Sequence, residues 1–338
     1  MDIEAILQSI QKLRIGIIGD FCLDVYWHAD MRRSELSRET PHFPLPIVEE
    51  RLSPGGAGNV AANLCTLRPT AVHCCGLLGR DWRGTALLET LSAIGADTSA
   101  LLASSDRVTN TYIKPLRKGT SEVVYEDPRL DFTNYTPTSP EAEHNLLQAL
   151  EKLASKSDVL CVCDQMPFGC ITPMIRKRII ELGASGLTVV VDSRDHIAEY
   201  RHVIIKPNAV EACRAANIPQ TTELANLERL APSLEQQTGK PVIITDGEHG
   251  CLTCEQGRCT HIPAVPVSGE IDICGAGDTF LAAFASALGV QAPLTDAAKL
   301  GCLASSITIR KLKTTGTAAP EEILKQHMLS LRKTITWS

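Results

Sequence analysis

The sequence has no apolar run near the roughly 20 residues that a bilayer-spanning helix needs, which excludes a helical membrane protein. It has no excess of basic charge either: 33 Lys and Arg stand against 39 Asp and Glu, a formal net charge of −6. A basic surface for nucleic acid is therefore not expected, and any phosphate the protein meets should be bound locally. The opening Met1-Asp2-Ile3-Glu4 is acidic where a secretory leader is basic, and no long apolar segment follows, so the expected location is cytoplasmic. Internal repeats and low-complexity linkers are missing as well, which argues for one domain over residues 1–338. Cysteine, by contrast, is plentiful. Thirteen residues, an odd number, in a long chain without a leader are read as reduced thiols rather than a disulfide framework. The one cluster with metal-like spacing, Cys251-x2-Cys254-x4-Cys259-x-His261, lies in alternating strand-like sequence around Gln256-Gly257. Alternate residues of a strand face opposite sides, so zinc is not expected there.

What is present is a hydrophobic fraction of 44% and a charged fraction of 21%, enough for a large core. Apolar runs bounded by turn residues at 14–18, 71–77, 158–163, 188–192, 202–205 and 241–245 predict strands. Between them, helical periodicity predicts helices over 59–67, 84–94, 140–153, 224–237, 275–288 and 320–331. The alternation predicts an α/β fold with a mostly parallel, doubly wound sheet. Two segments interrupt it, near 25–50 and 108–132. In the second, Tyr112-Ile113-Lys114 and Val123-Val124-Tyr125 flank Lys118-Gly119-Thr120 as an antiparallel hairpin would. Together the two insertions predict a small accessory sheet.

The strongest chemical signal is Asp272-Ile273-Cys274-Gly275-Ala276-Gly277-Asp278-Thr279-Phe280, followed by an apolar helical run. Small residues opening a helix leave the N–H groups of Gly275, Ala276 and Gly277 available to an anion, helped by the helix dipole. Asp278, in the first turn, could then serve as base for a hydroxyl that attacks a phosphoryl group. On residue types alone, a helix cap with a tight glycine turn fits equally well. A second run, Pro54-Gly55-Gly56-Ala57-Gly58-Asn59, also leads into a helix; its glycines allow close approach of backbone to a ligand, and Asn59 offers donors and acceptors to sugar hydroxyls. Neither run is a Walker A or a dinucleotide fingerprint, and Gly16-Ile17-Ile18-Gly19-Asp20 lacks the glycine spacing of a nicotinamide-dependent oxidoreductase.

One early and one late glycine run, in this order, resemble the PfkB (ribokinase-like) carbohydrate kinases. Gly19-Asp20-x-x-x-Asp24 is similar to the family's first strand and sugar-binding aspartate. Lys206-Pro207-Asn208-Ala209-Val210-Glu211 resembles its Asn-x-x-Glu motif, and Thr245-Asp246-Gly247-Glu248-His249-Gly250 its nucleotide-side loop. The resemblance implies an αβα sandwich with a small β lid, and phosphoryl transfer from ATP to a sugar or sugar phosphate with Asp278 as base. It further implies an acceptor held by Asp24, Gly55, Gly56 and Asn59, and a nucleotide near Lys206, Asn208, Thr245, Gly247 and Gly250. Mg2+ would be managed by Asn208 and Glu211 through water. A monovalent cation near Asp272 is a further implication, although Cys274 stands where threonine is common. Lys311-Leu312-Lys313-Thr314-Thr315-Gly316-Thr317 resembles the adenine-side loop, with Gly316 in it; without that resemblance the basic run 311–313 is read as a solvated helix end.

Within the family the chain looks most like the bacterial heptose-7-phosphate kinases, on Leu23-Asp24-Val25-Tyr26-Trp27, on Ser37-Arg38-Glu39-Thr40-Pro41, and on Arg129-Leu130-Asp131-Phe132. It departs from them at Asp164-Gln165-Met166-Pro167-Phe168-Gly169 and at Asp192-Ser193-Arg194-Asp195, where those kinases carry lysines. The bifunctional members also append a nucleotidylyltransferase domain, and the expectation here is the kinase part alone. These departures leave the sugar open. Lys114, Arg117, Arg129 and Arg194 are the candidate grips for a phosphate already on the acceptor. An accessory sheet with an uncovered apolar face has to bury it somewhere, and the resemblance implies that it does so lid to lid in a homodimer. The alternative from another class, a sugar- or nucleotide-binding regulatory protein of this fold without catalysis, would be expected to lack the base or the Asn-x-x-Glu motif; this chain has both.

Overall fold

The computed structural model describes residues 2–121, 123–312 and 314–332. In chain order the first part runs α1 (Ile3–Ile10), β1 (Arg14–Gly19), β2 (Phe21–Asp30), β3 (Ile47–Gly56), α2 (Ala57–Thr66), β4 (Ala71–Gly79), α3 (Trp82–Ala93), β5 (Asp97–Ser104) and β6 (Thr111–Lys118). The middle follows with β7 (Val124–Glu126), β8 (Leu130–Phe132), α4 (Pro140–Lys156), β9 (Val159–Asp164), α5 (Pro173–Ala184), β10 (Thr188–Ser193), β11 (Ile204–Ile205) and α6 (Ala209–Ala215). The last part is α7 (Leu224–Thr238), β12 (Val242–Thr245), β13 (Cys251–Glu255), β14 (Arg258–Ile262), α8 (Ala276–Gly289), α9 (Leu294–Thr308) and α10 (Pro320–Arg332).

Nine strands form one sheet in the order β14-β13-β12-β11-β10-β9-β1-β4-β5. All neighbours are parallel from β12 to β5, and the β13–β14 hairpin closes the other edge antiparallel. The central strands are buried on both faces, which is why they read as unbroken apolar runs. Successive residues divide between two cores. Ile15, Ile17 and Cys161 point toward α1, α2, α8, α9 and α10, while Ile18, Leu160 and Val162 point toward α4, α5, α6 and α7. This is the doubly wound sandwich. Helix starts are set locally: Asp81, Ser139 and Thr172 each accept a first-turn N–H at the heads of α3, α4 and α5, and proline follows directly in the last two. No helix of the described residues is long and apolar enough to cross a membrane.

The second sheet, β3-β2-β6-β7 with β8 on β6, is built from the two insertions. β2 lies between antiparallel β3 and parallel β6, and β6 pairs antiparallel with β7. Leu23, Val25 and Ile113 tie one face of this lid to the core. The joint is short: Asp20 alone separates β1 from β2, and Gly56 ends β3 directly on α2, whose Ala57 N–H donates to the Asp20 carbonyl at 3.0 Å.

Several elements differ from expectation. α9 is apolar nearly all round, so no stripe marks it as a helix. α1, α5 and the edge strand β5 lie outside the helices and strands expected from the sequence. The strand expected over 202–205 is only β11, because His202 sits at φ 60°.

Candidate active site

The carboxyl ends of the parallel strands bring together Asp20 after β1, Asp164 at the end of β9, Asp192 in β10, Lys206 after β11 and Thr245 at the end of β12. Chain progression reverses between β1 and β9, the crevice where open α/β sheets receive ligands. Asp20 stitches that crevice: its buried carboxylate accepts the N–H groups of Gln165, Met166 and Cys170 at 2.8–2.9 Å.

The head of α8 stands over this cleft. Gly275 precedes it at φ 78°, and a Cβ there would come within 2.5 Å of Asn59 Nδ2, so a side chain at 275 would push α8 away from α2. The contact matters because Asn59, buried in the first turn of α2, donates to Asp278 Oδ2 at 2.7 Å. Burial pushes the Asp278 carboxyl up to about 6; Asn59 and Lys206 oppose the rise, whereas Asp192 and Asp24 add to it. It is therefore ionised at neutral pH yet close to the value that suits a general base. Of the three amides expected to cradle an anion, that of Ala276 turns back to the Ile273 carbonyl at 3.2 Å. The Gly275 and Gly277 N–H groups have no partner among the described residues.

Lys206 is buried with its ammonium 3.0 Å from Asp192 Oδ2 and close under Gly277. Burial alone would lower it, but Asp192, Glu211 and Asp278 together hold it above its ordinary value. Asp192 is the residue that sequence reasoning missed; its partner arrives from a neighbouring strand, and nothing local signals the pair. Asn208 and Glu211 form a capping box on α6, each side chain accepting the other's backbone N–H at 2.8–2.9 Å. One oxygen of each is thereby engaged, and the second Glu211 oxygen remains. Burial, first, and then Asp192 raise the Glu211 carboxyl, with Lys206 and Arg194 opposing. Among the described residues no three carboxylates, thiols or imidazoles converge as a metal cage. The donor set thus fits a Mg2+ held chiefly by phosphate oxygens and water, with Glu211 at its shell.

Thr245 bridges to Asn208 and donates its N–H to the Pro207 carbonyl at 3.0 Å. Gly247 and Gly250 bound the following turn, which Asp246 closes by accepting His249 Nδ1 at 2.9 Å. Gly316 is buried against Lys311, and neighbouring Thr315 lies against the Gly275 position. Lys311 is not solvated as expected: its ammonium binds the Thr317 carbonyl at 2.6 Å and Glu322. Lys313 lies outside the described residues.

Across the cleft, Asp24 is buried on β2 against Gly55, where a Cβ would meet its carboxylate at 2.8 Å; Gly56 follows. Burial raises Asp24, and Lys114, Arg129 and Arg51 work against that rise. Directly opposed on β3, β2 and β6, Arg51, Tyr26 and Lys114 form a rung one step farther out, with the two cations over the Tyr26 ring. Arg129 already holds Asp131 with two N–H groups and stacks on Tyr112. Arg117 pairs with Asp127. Arg194 is exposed and makes no side-chain hydrogen bond or ion pair among the described residues, leaving it the freer of the guanidinium groups named above. A cavity of about 870 Å3 between β5 and α4 is lined by none of these groups.

A sequence model described as the pfkB family of carbohydrate kinases matches residues 23–322. Bifunctional protein HldE of Trichlorobacter lovleyi is 31% identical over 327 residues, which cover 95% of this chain and 64% of that protein. The chain therefore spans a little under two thirds of the length of that relative. Phosphofructokinase-2 of Escherichia coli, solved with fructose-6-phosphate, superposes with a TM-score of 0.71 at 18% identity over 94% of this chain and 99% of that one. Ribokinase of Arabidopsis thaliana, solved with ribose and ATP, gives 0.67 at 18% over 93% and 98%. The ribokinase-like fold is shared.

Proposed function

Because the chain belongs to the pfkB family of carbohydrate kinases, we propose that it transfers the terminal phosphoryl group of ATP to a hydroxyl of a sugar or sugar phosphate, of the heptose 7-phosphate kind. The observation that carries this is the Asp278 carboxylate, held by Asn59 at the head of α8 with the Lys206–Asp192 pair beneath it. Asp24 and Asn59 hold acceptor hydroxyls. Asp278 takes the proton of the reacting one as its oxygen bonds to the terminal phosphorus, the bond from that phosphorus to the bridging oxygen breaks, and ADP leaves. The amides of Gly275 and Gly277 and the ammonium of Lys206 face the charge that spreads over the transferring group. Mg2+, when bound with the nucleotide, neutralises phosphate charge; Glu211 orients its water shell. Thr245, Gly247, Gly250 and Gly316 border the nucleotide.

A phosphate already on the acceptor is favoured by the cations around Asp24. Lys114 and Arg194 are its best grips, since Arg129 is engaged by Asp131. Purified protein incubated with ATP and Mg2+ should release ADP with a sugar phosphate, and more efficiently with heptose 7-phosphate or fructose 6-phosphate than with the matching free sugar. A regulatory protein of this fold would bind the ligands and release none. Efficient turnover of the free sugars alone would refute the phosphorylated acceptor and leave the kinase assignment standing.

A further inference from the structure

Four thiols at the antiparallel edge of the large sheet have no part in phosphoryl transfer. Cys254 on β13 and Cys259 on β14 are direct partners in register, next to the Glu255–Arg258 pair that closes the hairpin. Between them Gln256 and Gly257 have φ of 53° and 71°, the two-residue turn whose closing pair is hydrogen-bonded. The next pair along is then a non-hydrogen-bonded one, in which Cα atoms approach to about 4.5 Å and side chains converge. That spacing lies inside the range a disulfide spans.

Their surroundings differ. Cys254 is buried, and its Sγ donates to Glu235 Oε2 on α7 at 3.4 Å; Glu235 also accepts the N–H groups of Gln256 and Gly257. Cys259 is half-exposed, with its Sγ 3.5 Å from the Glu228 carbonyl. Cys251 faces the other side of the sheet, 3.7 Å from Cys302 in the opposite core. The spacing that resembles a zinc site in sequence is thus divided between two faces.

We propose that Cys254 and Cys259 are a reversible dithiol–disulfide couple, oxidised by small-molecule disulfides. Cys259, the reachable thiol, loses its proton to solvent and its sulfur attacks the oxidant; the oxidant's S–S bond breaks, one half leaves as a thiol, and the other stays on Cys259. Cys254 then attacks Cys259 Sγ, its proton passing to the second half, which leaves as a thiol. The protein loses two electrons and two protons, and the oxidant is reduced to two thiols. Burial first, then Glu228 and Glu235, raise the Cys259 thiol, so the reaction quickens with pH, about tenfold per unit below the thiol pKa. The couple rests on the hairpin alone and does not depend on the kinase assignment.

The test is to incubate the full chain with oxidised glutathione at mildly alkaline pH, block remaining thiols, and digest after glutamate without reduction. Peptide 249–255, which holds Cys251 and Cys254, should be joined to peptide 256–270, in which Cys259 is the sole cysteine. Cys251→Ser should keep the link, and Cys254→Ser should leave glutathione on Cys259. A link from 249–255 to the peptide holding Cys302, a glutathione that stays on wild-type Cys259, or both thiols recovered free would each overturn the proposal. Mapping of the wild-type chain decides this even where a variant fails to fold.

Discussion

Replacing Asp278 by Asn preserves the shape of the side chain and the Asn59 contact while removing the base. As general bases contribute about 10²- to 10⁴-fold, kcat should fall by at least 10² with nucleotide affinity retained. The same substitution should stabilise the fold. A carboxyl raised from 3.8 to about 6 by burial carries, when ionised, a penalty of about 3 kcal/mol relative to the unfolded chain. No penalty exists below pH ~4; it grows as pH rises between the two values and is complete above pH ~6. Asn carries none, so at pH ~8 the variant should melt several degrees above wild type, and the difference should vanish near pH ~4. Wild-type kcat/KM should decline below pH ~6, about tenfold per unit, as the base is protonated. Steady-state kinetics beside thermal unfolding at the two pH values measure both effects. A variant with near-normal kcat would refute the catalytic assignment, and one less stable than wild type at pH ~8 would refute the electrostatic account of the site.

Glu211→Gln keeps an oxygen for the α6 cap but loses the charge, so the Mg2+ concentration for half-maximal rate should rise several-fold; an unaltered metal titration would reject the role at the metal. Arg194→Ala should reduce the preference for phosphorylated over free acceptor by about tenfold, read as the ratio of kcat/KM values, since one charge-assisted contact is worth about 1.4 kcal/mol. Gly169→Ala would drive a Cβ into the Asp20 carboxylate that holds the 165–170 loop, and should destabilise by about 1–3 kcal/mol in denaturant titration. The lid leaves Val48, Val124 and Tyr125 exposed by 55%, 41% and 58%, so light scattering at micromolar concentration should give a dimer mass, and Val124→Lys should shift it toward monomer.

The glycine run before Asp278 was readable because a helix head that must approach another backbone tolerates few residue types there. Asn208 and Glu211 were readable too, but their three-residue spacing is also that of a capping box, and the capping geometry is what the backbone enforces. The Asp192–Lys206 pair was not readable, because it joins the ends of two strands and no period in either reveals the other. Lys311 looked like a solvated cation because its partners, the Thr317 carbonyl and Glu322, come from the chain that folds back over it. α9 escaped for the opposite reason: a helix buried on most sides has no polar face to set its period.

The joint between lid and sheet has a mechanical meaning. One residue links β1 to β2, and β3 passes without a linker into α2, whose third residue is Asn59. The strand that carries Gly55 therefore runs without slack into the turn that carries Asn59, whose amide donates to Asp278, so both walls of the cleft are set by one continuous stretch of chain.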